Sequence, residues 1–153
     1  MEKELKTETE AEEYFKRAAK KCTPRSVVLN HNQRKTVLRI LKEAAEESGK
    51  KFIQKDLSVV EEERIGSTIF KDEIPVWLKD VFKDKESGYV VYLREFHYAS
   101  DRIKDDAMNI ILNMEVEGEK FPPNTFIVLG VMDMDDMTEA LSRVHIAKFF
   151  RTK

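Results

Sequence analysis

Short apolar runs alternate with amphipathic stretches along this chain. The runs at residues 89–93 and 125–129 are almost continuously apolar, and the short strand predicted at residues 25–29 ends in the apolar run Val27, Val28 and Leu29, which is typical of strands buried on both faces. Weaker strand patterns cover residues 51–57 and 144–150. Because continuous apolar strands favour parallel pairing between two helical layers, these runs predict a parallel sheet of about five strands.

Amphipathic helices are predicted between the strands, where apolar positions recur at helical spacing: residues 34–48, 74–85, 100–114 and 136–143. The first of them is expected to end at Gly49, and the third to begin after a capping Ser100. Since strands and helices alternate, we predict a single three-layer α/β/α domain over residues 23–153.

The N-terminus is predicted to form a separate helical segment over residues 1–22, rich in Glu, Lys and Ala. Within it, the acidic residues at positions 8–13 precede the basic residues at positions 17–21, an order that suits the helix dipole. The sequence leaves open whether this helix docks on the domain or lies in solvent. Thr23 and Pro24 are expected to end it.

The charge and the residue counts disfavour nucleic-acid and membrane binding and exclude an internal disulfide. The net charge of -2 at pH 7 argues against a large nucleic-acid footprint or binding to an anionic membrane. A single cysteine excludes an internal disulfide, and His31, His97 and His145 lack metal-ligand spacing, so no metal site is predicted. Neither a membrane-spanning run nor a signal peptide is seen, so a cytoplasmic location is expected.

The transition from strand to helix at residues 29–36 carries the strongest candidate chemistry. A strand, a polar loop and a Lys35-Thr36 pair opening a helix form the layout of a phosphate-binding P-loop. That motif has two glycines, and here Leu29 and Arg34 stand in their places. Glycine lets successive backbone N–H groups turn toward a phosphate. Because residues 29–36 contain no glycine, this loop is expected to take another shape.

The order of elements and these signatures resemble the AAA+ family of P-loop ATPases over roughly residues 24–150. In this resemblance residues 29–36 take the place of the Walker A motif, and the implied cofactor is ATP with Mg²⁺. Lys35 would contact the β- and γ-phosphates, and the hydroxyl of Thr36 would coordinate Mg²⁺. The candidate nucleotide-binding residues are Asn32, Arg34, Lys35 and Thr36.

The same resemblance places the Walker B motif on residues 89–95. The family ends this strand with Asp-Glu, where this chain has Arg94 and Glu95. Glu95 is the candidate catalytic residue that would activate water, whereas Arg94 replaces a carboxylate that supports Mg²⁺. The resemblance also implies a sensor 1 position near Asp133 and an arginine finger at Arg143, and no helical lid is expected after the core.

Three functions are compatible with the sequence. The first is an AAA+ ATPase-like protein that does not hydrolyse ATP and acts through a protein partner or self-association. The second is an ATP-binding AAA+ ATPase with an atypical P-loop, in which Lys35, Thr36 and Glu95 keep their family roles. The third is nucleic-acid binding through residues 30–35, which the near-neutral net charge disfavours.

Overall fold

The computed structural model describes residues 2–22, 25–29, 33–59, 81–84, 86–116, 118–132 and 145–149. The helix predicted over residues 136–143 lies outside these ranges. Most of the helix predicted over residues 74–85 also lies outside them, and the described part contains the buried Val81 and Phe82.

Eight strands are present in the described ranges: β1 (Glu2–Leu5), β2 (Arg25–Val28), β3 (Lys51–Asp56), β4 (Tyr89–Arg94), β5 (Glu115–Val116), β6 (Glu119–Lys120), β7 (Thr125–Val131) and β8 (His145–Phe149). Six of them form one sheet in the order β1-β8-β2-β7-β4-β3, and every neighbouring pair is parallel. The other two, β5 and β6, form a small antiparallel hairpin. The parallel sheet predicted from the apolar runs is therefore confirmed, with one strand more than expected.

Three long helices lie in the part of the chain that the structure describes: α1 (Glu8–Lys21), α2 (Arg34–Glu47) and α3 (Asp101–Asn113). The predicted stop of α2 is confirmed, because Gly49 has φ +70°, a conformation that glycine adopts without strain. The predicted cap of α3 is also confirmed, since the Ser100 hydroxyl accepts the Ile103 N–H at 3.3 Å.

Two apolar cores lie on opposite faces of the sheet, because successive side chains of a strand point to opposite sides. On β4, Val90 and Tyr92 pack in the core shared with α1 and α2. Their neighbours Val91 and Leu93 pack in the core shared with α3. The predicted three-layer α/β/α arrangement is thus confirmed, with the sheet covered by helices on both faces.

The N-terminal segment differs from the prediction of a continuous helix. Residues Glu2–Leu5 form β1, which pairs with β8 at the edge of the sheet, and the side chain of Leu5 is buried. The helix α1 begins only at Glu8, because Thr7 is extended and its hydroxyl caps the helix by accepting the Glu10 N–H at 3.1 Å. Helix α1 docks on the sheet through a buried face that includes Phe15.

The carboxyl ends of the six parallel strands share one edge of the sheet. At this edge β2 lies between β7 and β8, and the chain leaves β2 through α2 to reach the outer strand β3. Open parallel sheets bind ligands at such a reversal of strand order, outside the carboxyl ends of the strands. The start of α2 and the end of β4 both lie here.

Candidate functional site

An ion pair joins the start of α2 to the end of β4. Arg34 is the first residue of α2 and Glu95 follows the last residue of β4. The guanidinium Nη2 of Arg34 lies 2.5 Å from the carboxylate Oε1 of Glu95, a charge-assisted contact. The structure therefore brings together two residues that the sequence indicated separately, one from the P-loop position and one from the Walker B position.

The two members of this pair differ in their access to water, since Glu95 is nearly buried and Arg34 is partly exposed. The side chain of Glu95 is 10% exposed and that of Arg34 is 34% exposed. His97 lies close as well, with its Nε2 3.9 Å from the same Oε1 of Glu95. A carboxylate with so little access to water needs a nearby positive charge, and Arg34 supplies it.

The backbone at Glu95 adopts the left-handed conformation, with φ 63° and ψ 36°. For a residue with a Cβ atom this costs about 1 kcal/mol relative to right-handed conformations. The carbonyl of Glu95 accepts the N–H of Tyr98 at 3.1 Å, which closes a short 3₁₀ turn over Phe96–Tyr98. Phe96 is buried beneath this turn and fixes it to the α3 core.

The N-terminus of α2 lacks the features that usually stabilise a helix start. Gln33 occupies the capping position but makes no side-chain capping hydrogen bond, and the first turn contains no acidic residue. Instead, Arg34 and Lys35 place two cations at the positive end of the helix dipole. The carboxylate of Glu95, from a different element, contacts the guanidinium of Arg34, the first residue of this helix.

The other predicted nucleotide-binding residues have different environments. Lys35 is exposed and Thr36 is partly buried in the first turn of α2. The residue that contacts Glu95 is Arg34, whereas Lys35 stands in the place of the P-loop lysine. Asn32, Asp133 and Arg143 lie outside the described residues, so their roles stay predictions.

A second ion pair at the same edge involves residues that the sequence did not single out as a pair. Arg94 Nη2 lies 3.6 Å from Asp56 Oδ2, and both side chains are partly exposed. Asp56 and Arg94 are register partners at the ends of β3 and β4. This pair could have been predicted, because a carboxylate ends one predicted strand and a cation ends the neighbouring strand. Arg94 and Glu95 are adjacent in sequence, and each contacts a residue on another element.

Tyr92 lies on β4, the strand that Glu95 follows. Its ring is buried in the core with α1 and α2, and its hydroxyl lies over Gly130 of β7, where an added Cβ would meet it at 2.8 Å. Burial, and then the nearby charge of Glu95, raise the pKa of Tyr92 well above its usual range. The phenol of Tyr92 therefore stays neutral.

Neither a metal-binding cluster nor a membrane-spanning helix is present within the described ranges. No cluster of three or more His, Cys, Asp or Glu side chains there has the arrangement needed to hold a metal ion. None of the helices in that part of the chain combines the length and apolarity needed to cross a membrane.

Comparison with known proteins gives matches among solved structures alone, since no protein-family model and no curated sequence matches this chain. The Thermotoga maritima RuvB Holliday junction branch migration motor superposes with a TM-score of 0.60 at 14% identity, over 94% of this chain and 44% of that chain. Drosophila ORC bound to poly(dA/dT) DNA and Cdc6 gives 0.57 at 11% identity, over 95% and 28%. C. elegans PCH-2 gives 0.54 at 12% identity, over 95% and 43%.

These neighbours are AAA+ ATPases, and the chain has the α/β fold of an AAA+ P-loop NTPase core. At these identities the likeness establishes the fold alone. The chain spans less than half the length of each of these neighbours. The sequence resemblance to this fold is thereby confirmed.

Proposed function

We propose that this chain is an AAA+ ATPase-like module that does not hydrolyse ATP and acts by binding other proteins, either a partner or further copies of itself. The observation that carries the proposal is the ion pair between Arg34 and Glu95. Arg34 stands in the place of a P-loop glycine, and Glu95 stands in the place of the residue that would activate water.

The first argument concerns the attacking water. A general base must accept a hydrogen bond from the water that it activates. Oε1 of Glu95 is already engaged by Arg34, and only 10% of the side chain is exposed. A water molecule would have to displace the guanidinium before Glu95 could orient it at that oxygen. The pair therefore opposes the role that the resemblance gives to Glu95.

The second argument concerns magnesium and phosphate. Mg²⁺ prefers oxygen ligands in a near-octahedral arrangement, usually from carboxylates, hydroxyls and phosphates. Arg94 replaces the expected aspartate, and its guanidinium contacts Asp56 instead. Likewise, the side chain of Arg34 fills a position where a glycine would let the backbone approach a phosphate. These residues do not fit a magnesium–nucleotide complex.

The third argument supports a role in protein binding. Tyr98 follows the ion pair in the chain and is 57% exposed, the one large apolar residue with high exposure in the described ranges. Tyrosine is enriched in protein interfaces, because it offers a large apolar surface with a polar tip. One structural neighbour was solved as ORC together with Cdc6, so this fold occurs within a multi-protein assembly.

The enzymatic part of the proposal is tested with the purified chain, ATP and Mg²⁺. We expect no phosphate release above the blank and no saturable heat in isothermal titration calorimetry at millimolar ATP. Glu95→Gln and the matched surface variant Glu43→Gln serve as controls, since Glu43 pairs with the exposed Arg39 on the same helix as Arg34. Hydrolysis that Glu95→Gln abolishes and Glu43→Gln preserves would contradict the proposal and support the ATPase alternative.

The binding part is tested by sedimentation velocity and by affinity purification of the tagged chain. We expect a species heavier than 17.9 kDa, or a stoichiometric partner, that Tyr98→Ala weakens while Glu43→Gln leaves it intact. A strictly monomeric chain without a partner would contradict it. Binding to labelled duplex DNA that weakens steeply with salt would favour the nucleic-acid alternative.

A further inference from the structure

Charged residues are sorted by sign along the helices α1 and α2. In α1 the four acidic residues lie at positions 8–13 and the four basic residues at positions 16–21. In α2 the order is reversed, with four basic residues at positions 34–42 followed by three acidic residues at positions 43–47. The order in α1 suits the helix dipole, whereas the order in α2 opposes it, so the stability of α2 alone does not explain its charges.

The two helices lie side by side and run in the same direction. Arg39 Nη2 lies 3.1 Å from Glu8 Oε2 and Lys16 Nζ lies 3.1 Å from Glu47 Oε2, so both pairs join positions that are 31 apart. The acidic part of α1 therefore lies beside the basic part of α2, and the basic part of α1 lies beside the acidic part of α2. We call the outer surface of this helix pair the α1–α2 face.

The α1–α2 face keeps charged residues that are available for a contact with another molecule. Four exposed residues of the two helices make no salt bridge within the described part of the chain: Glu13, Arg17, Lys42 and Glu46. The two helices together carry eight basic and seven acidic residues, so the face offers no single sign of charge to a nucleic acid or a membrane. It is not apolar either, since Tyr98, the exposed large apolar residue of the described ranges, lies outside both helices.

We propose that the α1–α2 face binds a second copy of this chain in a two-fold symmetric dimer, in which α1 of each copy lies on α2 of the other. A half-turn about an axis along the helices exchanges the places of α1 and α2 and keeps their direction and height. The acidic part of α1 then meets the basic part of α2, the basic part of α1 meets the acidic part of α2, and each contact occurs twice. The charge pairing that joins the two helices within one copy is thus repeated between copies.

This inference rests on the self-association in the proposed function and names a surface for it that is separate from Tyr98. The size of the face sets the strength of the dimer. Each helix has 14 residues and is about 21 Å long, and neighbouring helix axes lie about 9 Å apart. Two such faces bury roughly 800 Å² in total, less than the roughly 1,200 Å² at which standard interfaces begin. The dimer is therefore weak and reversible, and it depends on charge.

The test is sedimentation equilibrium of the chain carrying Tyr98→Ala, which removes any association through that side chain. We expect the 17.9 kDa monomer to be in equilibrium with a dimer. The dimer should form at about 0.05 M salt and weaken at least about tenfold at about 1 M salt, where the Debye length falls to about 3 Å.

Two charge reversals on this background test the geometry of the dimer. Glu13→Lys and Lys42→Glu change exposed residues that lie about 3 Å apart along the helix axis when α1 of one copy lies on α2 of the other. Each variant alone should dimerise at least about tenfold more weakly, because the symmetry places two contacts between like charges in its dimer. An equimolar mixture of the two variants should regain the dimer, because both contacts between the unlike copies then join opposite charges.

The matched control is Asp105→Lys on the same background. It reverses an exposed carboxylate on α3, which covers the other face of the sheet, and it is expected to leave the dimer unchanged. A chain that stays monomeric at millimolar concentration and low salt, or a dimer that withstands high salt, would refute the contact. Single variants as strong as the parent chain, or a mixture as weak as the single variants, would refute it as well. The proposed function fails on other results: ATP hydrolysis by the wild-type chain, or a wild-type chain that neither self-associates nor binds a partner.

Discussion

The ion pair between Arg34 and Glu95 predicts an asymmetric response to mutation. Replacing Arg34 with methionine keeps an unbranched side chain but leaves the Glu95 carboxylate, 10% exposed, without its partner. Breaking a fully buried pair costs about 3–5 kcal/mol, whereas exposed pairs contribute at most about 1 kcal/mol. Because Arg34 is one-third exposed, we place the loss at about 2 kcal/mol, between these limits.

One opposing term reduces this loss. Arg34→Met removes a cation from the positive end of α2, which is worth about 0.5 kcal/mol. The expected net destabilisation is therefore about 1.5 kcal/mol. Glu95→Gly should cost less, because glycine relieves about 1 kcal/mol of backbone strain and the freed Arg34 can turn toward water. The double variant is expected to cost less than the sum of the two single variants.

The assay is urea unfolding at neutral pH, followed by circular dichroism, with equal m-values required for all variants. Arg39→Met is the matched control, since Arg39 lies on the same helix and pairs with Glu43 and Glu8 at the surface. It is expected to cost less than about 0.5 kcal/mol. If Arg34→Met costs no more than Arg39→Met, or if the two site mutations are additive, the pair does not stabilise this part of the fold.

Two further predictions concern contacts made by residues of the strands. Hydrogen bonds from Ser87 and Lys51 lower the pKa of Asp84 from 3.8 to about 2, so its contribution is present above pH 4 and lost as the pH falls toward 2. The stability difference between wild type and Asp84→Asn should shrink over that interval in urea unfolding, and a constant difference would contradict this. Gly130→Ala should destabilise by about 1–3 kcal/mol, because its Cβ would meet the buried Tyr92 hydroxyl at 2.8 Å. Adding Tyr92→Phe should recover part of the loss in thermal unfolding, and no recovery would refute the clash.

The architecture could be predicted from the sequence where burial is continuous. The strands β4 and β7 are buried on both faces, so their apolar runs stand out without tertiary information. The strand β1 could not be predicted in this way. It is short and charged, with one apolar residue, Leu5, and it becomes a strand by pairing with β8 at the edge of the sheet. Tertiary pairing therefore overrides the helical composition of its surroundings.

The ion pair joins two residues that the sequence indicated one at a time. Arg34 and Glu95 were each candidate site residues, because they occupy landmark positions of a P-loop ATPase. Their mutual contact could not be predicted, because it depends on the left-handed turn that follows β4. The contact between Asp56 and Arg94 could have been predicted, since charged residues that end adjacent parallel strands lie side by side at one edge of the sheet. The roles of Asn32, Asp133 and Arg143 stay predictions.

The most direct test of the account is a crystal structure of the wild-type chain grown with millimolar ATP and Mg²⁺. We predict that the Arg34 guanidinium still contacts the Glu95 carboxylate and that no nucleotide density lies at the start of α2. Clear density for ATP beside Lys35, with a magnesium ion on the hydroxyl of Thr36 and the carboxylate of Glu95 turned away from Arg34, would contradict it.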